Sequence, residues 1–188
     1  MTGYRRNFVA GATYFFTVNL ADRRRPLLTE NIECLRAAFR YTRHRYPFTI
    51  DAIVVLPDHL HTIWTMPEGD SDFAVRWNLI KGNFSRGLPR VENVSDSRLR
   101  KGERGIWQRR YWEHTIRDED DFARHVDYIH FNPVKHGHAE HPGAWPYSSF
   151  DRMVRLGFYP ADWPEIPRTR KAGLASYNGI TRTGFVDS

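Results

Sequence analysis

The stretch FTIDAIVVLPDHLHTIWTMP, residues 48–67, constrains the fold more than any other part of the chain. It holds two apolar, β-branched runs on either side of a tight LPDH segment, and so short a connection joins antiparallel neighbours rather than a parallel pair. A hairpin is expected here. TYFFTVNL (13–20) is rich in aromatic and β-branched types and leaves through the charged turn ADRRRP, which reads as an earlier strand and its exit. Thr29 is the expected N-cap of a helix that carries Ile32, Leu35, Ala38 and Phe39 up to Arg45, with Pro47 beyond its end. A second helix is expected from Asp72 to about Arg86, with Phe73, Trp77, Ile80 and Phe84 on one face. After a polar loop from Gly87 to Gly105, GIWQRRYWEHTI (105–116) reads as a further strand. The acidic run DEDD then opens a last helix, where negative charge favours the N-terminus, and Pro133 is expected to end it at Asn132.

Strand, helix, strand, strand, helix, strand is the split pattern of a ferredoxin-like fold. The fold class expected is therefore α+β: a largely antiparallel sheet with helices on one face, an added C-terminal helix carrying Tyr128, and an irregular basic tail. A chain of 188 residues with 40% hydrophobic residues suits one domain with additions. The tail from residue 143 holds too many prolines for long regular elements. A formal charge of +6 alongside 14% aromatic residues points to polyanionic partners and to unpaired bases. Charge alone also fits any mildly basic protein. The single cysteine, Cys34, excludes an internal disulfide framework or a cysteine zinc site. No apolar run is long enough to cross a bilayer, so a soluble, cytoplasmic protein and no membrane partner are expected.

His59 and His61 lie two apart in a strand-like run, and period two puts both imidazoles on one face. Such a pair can hold a metal; equally, one ring can be buried in the core while the other meets solvent. Tyr128 and Asn132 are four apart and share one face of the last helix. A half-buried packing tyrosine and a helix-terminating asparagine are the plain alternatives.

Taken together, LPDHLHTIWTMPEG, WEHTI, DYIHFNPVKHG, WPYSSF and GFYPADW resemble the REP-associated tyrosine transposases, whose core pairs a His-hydrophobic-His (HUH) motif with a single tyrosine. The resemblance covers most of the chain. It implies an HUH nuclease domain over residues 1–142, with residues 143–188 as a tail that adds to DNA binding. It further implies a metal-dependent DNA endonuclease and strand transferase in which Tyr128 is the nucleophile and His59, His61 and Asn132 hold Mg²⁺ or Mn²⁺. The implied substrate is a palindromic DNA hairpin with single-stranded flanks. Tyr128 would be joined to a 5′-phosphate and a 3′-hydroxyl released. A non-catalytic nucleic-acid-binding module, or a metal hydrolase that activates water, are the rival readings.

Arg5, Arg6, Lys81, Arg109, Arg110 and Lys135 are the expected DNA-binding residues, because clustered cations neutralise phosphates. No general base is assigned: Asp58, Glu113, His114 and His130 each lie near a motif, and no spacing forces one of them towards Tyr128. A monomer acting in cis is expected, with a dimer as the alternative.

Overall fold

The computed structural model describes residues 6–90 and 94–164. Its scaffold is a four-stranded sheet of β1 (Thr13–Asn19), β2 (Thr49–Val55), β3 (His59–Thr65) and β4 (Trp112–Thr115) in the order β2-β3-β1-β4. All three pairings are antiparallel, which is the ferredoxin-like arrangement expected. Helices α1 (Leu27–Glu30), α2 (Ile32–Arg45), α3 (Phe73–Gly87), α4 (Asp96–Leu99), α5 (Glu119–Lys135) and α6 (Phe150–Arg155) complete it, with a 3-10 turn at Pro142–Ala144.

Strand periodicity divides the core in two. Tyr14, Phe16, Val18, Leu60 and Trp64 point to one face of the sheet, where they meet Phe39 of α2 and Trp77, Ile80 and Phe84 of α3. Trp64 and Trp77 stack there with ring centroids 4.2 Å apart. Phe15, Ala52, Val54 and Ile63 point to the other face and pack against Val126 and Ile129 of α5. Covered on both sides, β3 is buried at six of its seven positions, the polar His59, His61 and Thr62 among them. The histidines thus belong to the α5 face, because His59 and His61 are in phase with Ile63. Residues 145–163 add to this second core: Trp145 donates to the Val55 carbonyl, Ser148 bridges Val54, and Phe150, Met153, Tyr159 and Trp163 are buried against α5.

Four local expectations are corrected. The helix expected from Thr29 is broken at Asn31, whose backbone N–H and side-chain amide both donate to the Leu27 carbonyl and close the first short helix, while the Thr29 hydroxyl turns back to Pro26. Only Trp112–Thr115 of the expected strand 105–116 is paired as one. The carbonyls of Trp107 and Gln108 are taken by the side chains of Arg98 and Lys81 rather than by a neighbouring strand. The polar loop from Gly87 to Gly105 contains α4. Finally, α5 runs through Pro133 to Lys135. A proline in the last turn forfeits only its own bond to the preceding turn. Beyond it Gly137, at φ +70°, lets its N–H reach Val134 and that of His138 reach Pro133, the paired C-terminal bonds that favour glycine.

Helix α5 starts where the Asp118 carboxylate accepts the Asp121 N–H at 2.7 Å. Losing such a cap costs about 1 kcal/mol. Asp118→Ala should lower stability in urea by that amount, whereas Asp118→Asn, which keeps the acceptor, should stay within about 0.5 kcal/mol of the parent chain.

Candidate active site

Because α5 crosses the face from which His59 and His61 project, the tyrosine and the histidine pair are brought together. The two imidazoles meet edge to face with centroids 5.0 Å apart, and the Tyr128 ring lies 5.1 Å from that of His61. Phe15 of β1 supports both His61 and Tyr128 from the sheet side. Each histidine is held through Nδ1: His61 at 2.9 Å from the Thr17 hydroxyl, His59 at 2.6 Å from the Asp58 carboxylate, which Arg23 also grips. Nε2 is the ring nitrogen each has left, and that of His61 is buried with no hydrogen-bond partner among the described residues.

The electrostatics keep both rings neutral. Burial, reinforced by the nearby cations Lys135 and Arg23 and by any proton taken up on His59 or His136, pushes His61 down to about 3. Burial also lowers His59, with Asp58 opposing it. A neutral imidazole offers a lone pair, which is the form that binds a cation.

Asn132 lies one turn beyond Tyr128 on the same stripe of α5. It is fully buried, and neither its carbonyl oxygen nor its amide nitrogen has a partner among the described residues. A turn further, His136 meets His59 with centroids 5.6 Å apart, while the Lys135 ammonium lies 5.0 Å from the Tyr128 ring centroid. Tyr128 opposes His61 and His136 opposes His59, so helical periodicity puts Asn132 between them, level with the pair. His136 was missed in the sequence. Its signal was the spacing of four from Asn132, hidden because Pro133 was read as the end of the helix.

The remaining expected DNA-binding residues lie elsewhere. Arg6 hydrogen-bonds the Tyr111 hydroxyl and pairs with Glu113 at 3.7 Å. Half-buried Lys81, pushed down to about 8 by burial and then by Arg6, lies over the Trp107 and Tyr111 rings. Arg109 pairs with Glu103. These line a cleft of about 600 Å³ with Arg86, Arg90 and Arg98, between α3 and residues 98–111 and on the α3 side of the sheet. Arg110 is exposed, and Arg5 lies outside the described residues.

Of the unassigned acid–base residues, Asp58 orients His59. Glu113, out of phase with its neighbours Trp112 and His114, belongs to the α3 side. His114 is held by Asp121. His130 is fully buried on the far flank of α5, 2.9 Å from the Ser149 hydroxyl, and burial pushes it down to about 3. A buried neutral histidine binds fewer protons than its unfolded counterpart below about pH 6.5, so its contribution is intact above that pH and lost as pH falls towards 3. The loss amounts to about 1.4 kcal/mol per pH unit. Urea melts in chelator at pH 6 and pH 5 should show a shallower loss for His130→Gln than for the parent chain.

Comparison with known proteins identifies the family. Residues 10–132 match the family described as transposase, IS200-like. The chain is 47% identical over 163 residues to the REP-associated tyrosine transposase of Escherichia coli K12, covering 87% of this chain and 91% of that one. The chain belongs to the REP-associated tyrosine transposases. A Haemophilus influenzae protein assigned to the same group is 46% identical over 92% of this chain and 99% of its own length. A solved REP-associated tyrosine transposase, bound to a REP hairpin, superimposes with a TM-score of 0.77 at 44% identity, covering 96% of this chain and all of that one. This transposase is therefore a DNA-cleaving enzyme on a ferredoxin-like α+β scaffold. Among its described residues no helix is long and apolar enough to cross a membrane.

Proposed function

We propose that this transposase binds a palindromic DNA hairpin and cleaves and rejoins its single-stranded flank through Tyr128, with a divalent cation held by His59, His61 and Asn132. The observation that carries the reading is the approach of Tyr128 to His61 on a helix whose next turn presents a buried, unpartnered asparagine. The relative solved with a REP hairpin supplies the substrate class.

The donor set fits such an ion. Burying an amide with neither end bonded costs several kcal/mol, a penalty removed by a ligand at that place. Two neutral imidazoles with Nε2 remaining and one amide oxygen form a mixed set in which the nitrogens also suit zinc and the oxygen, with water, suits Mn²⁺ or Mg²⁺; the family resemblance favours the latter pair. When bound, the ion would polarise the scissile phosphate. The Tyr128 oxygen then attacks phosphorus in line, forming a 5′-phosphotyrosine bond as the bond to the 3′ oxygen breaks and that oxygen leaves as a hydroxyl. Attack by another strand's 3′-hydroxyl reverses the step and rejoins DNA, because the phosphodiester energy is conserved. Lys135 contributes positive charge beside the ring that attacks.

One chain supplies both halves of the site, β3 the histidines and α5 the tyrosine, which supports a monomer acting in cis. Arg6, Lys81 and Arg109 would hold phosphates on the α3 side, while exposed Arg110 and the tail from residue 143 would add DNA contacts of their own. Incubating the protein and Mn²⁺ with a REP hairpin labelled on either side of the flanking cut tests the reading. Label on the 3′ side of the break should migrate with protein on denaturing gels, and label on the 5′ side should appear as a free shortened strand. Cleavage that leaves both labels free of protein would replace the tyrosine mechanism with hydrolysis.

A further inference from the structure

Six tryptophans occur in the chain. Trp64, Trp77, Trp107 and Trp163 are buried and Trp145 partly so, but Trp112, on the edge strand β4, is 50% exposed. Its exposed indole is nevertheless not loosely placed. Trp112 and His114 are in phase on β4, and their rings lie parallel within 4° at 5.8 Å between centroids. The His114 ring is stacked in turn on His125 of α5, 4.9 Å away. Phe15 touches Trp112 with its edge and also contacts His125 and Tyr128, so this stack is two ring contacts from the nucleophile on the same face of the sheet.

One buried carboxylate organises the assembly. Asp121 accepts from His114 Nε2 at 2.8 Å, from the backbone and side chain of Arg117 at 3.2 Å, and from Arg124 at 3.2 Å. These donors hold its carboxyl well below the usual range despite burial. The Arg117 and Arg124 side chains themselves remain largely exposed. His114, Asp121 and His125 also have donor atoms close enough for a cation. A cation there would compete with His114 and with the Arg117 and Arg124 guanidinium groups for a carboxylate that already accepts from all three. The ion pairs explain the cluster without one.

A half-exposed indole stacked on His114, whose partner Asp121 anchors two largely exposed guanidinium groups, has the makings of a nucleotide site: an aromatic face takes an unpaired base, and cations beyond the stack take phosphates of the same strand. We propose that Trp112, backed by His114 and His125, stacks one unpaired base of the single-stranded flank that leads to Tyr128, with Arg117 and Arg124 on the adjoining phosphates. This rests on the single-strand reading given under Proposed function and adds to it a positioning subsite. Trp112 is not a catalytic residue.

A double cycle tests it. Binding of a fluorescein-labelled REP hairpin with single-stranded flanks is measured in chelator, for the parent chain, Trp112→Ala and Trp112→Phe, against the intact strand and a series with one abasic nucleotide moved along the flanks. Trp112→Ala should weaken binding about 5- to 150-fold. Trp112→Phe should keep most of the affinity. One abasic position should produce a similar loss alone and add little in Trp112→Ala. Losses that add at every position, or a change below about twofold while the parent chain binds and cleaves the strand, would overturn the stacking site and leave the transposase mechanism standing. Failure of the parent chain to bind any of these strands would overturn both. Thermal melting of Trp112→Ala that matches the parent chain separates lost stacking from lost folding.

Discussion

Tyr128→Phe should yield no covalent protein–DNA adduct and reduce hairpin cleavage by at least about a thousandfold, since without the phenolic oxygen no bond to phosphorus can form. The fold should not notice. Tyr128 is 38% exposed, its hydroxyl makes no hydrogen bond to another described residue, and its ring contacts to His61 and Phe15 are kept by phenylalanine. Stability should therefore stay within about 0.5 kcal/mol of the parent chain. Hairpin affinity in chelator should change by less than about threefold, because most of it comes from phosphate contacts. The measurement is a denaturing gel of labelled strand beside a binding titration of the same preparation. A variant that still cuts at a near-normal rate, without an adduct, would make water the nucleophile and leave Tyr128 a packing residue.

How far the site could be read from sequence depends on which forces set each part. His59 and His61 fall on one face of β3 by strand periodicity alone, and Tyr128 and Asn132 on one face of α5 by helical periodicity; both statements are local, and both hold in the fold. Which face of the sheet α5 covers is decided by Val126 and Ile129 meeting Phe15, Ala52, Val54 and Ile63, contacts no spacing reveals. The expected basic set mixed two places for the same reason: Lys135 is beside Tyr128, whereas Arg6, Lys81 and Arg109 surround a cleft on the α3 side. His136 was hidden by a sound rule applied one turn too early, because a proline in the final turn costs a single bond and does not end a helix. Trp112 is one of several aromatic residues whose type suits stacking on bases, but its backing by His114 and His125 is not legible because its organiser, Asp121, reads in sequence as one of several helix-start acids.

His61→Ala should be as damaging to cleavage as loss of the tyrosine, for a different reason, and the contrast bears on what the histidine pair does. His61 is almost fully buried and neutral, and its Nε2 is unbonded. Two opposing changes follow its removal. The Thr17 hydroxyl loses its partner and the packing with Phe15 and Tyr128 is lost, which costs stability; a desolvated, unsatisfied nitrogen also disappears, which returns some. The net change should be small, about 1 kcal/mol in either direction. Mn²⁺ affinity should fall at least about a hundredfold, because one of the set's two imidazole donors is gone. Cleavage should fall with it, while hairpin binding in chelator persists. Mn²⁺ titration followed by electron paramagnetic resonance, alongside a urea melt and the binding assay, separates these terms. Unchanged Mn²⁺ affinity with cleavage lost would move the ion elsewhere, and a parallel loss of folding and DNA binding would make His61 architectural.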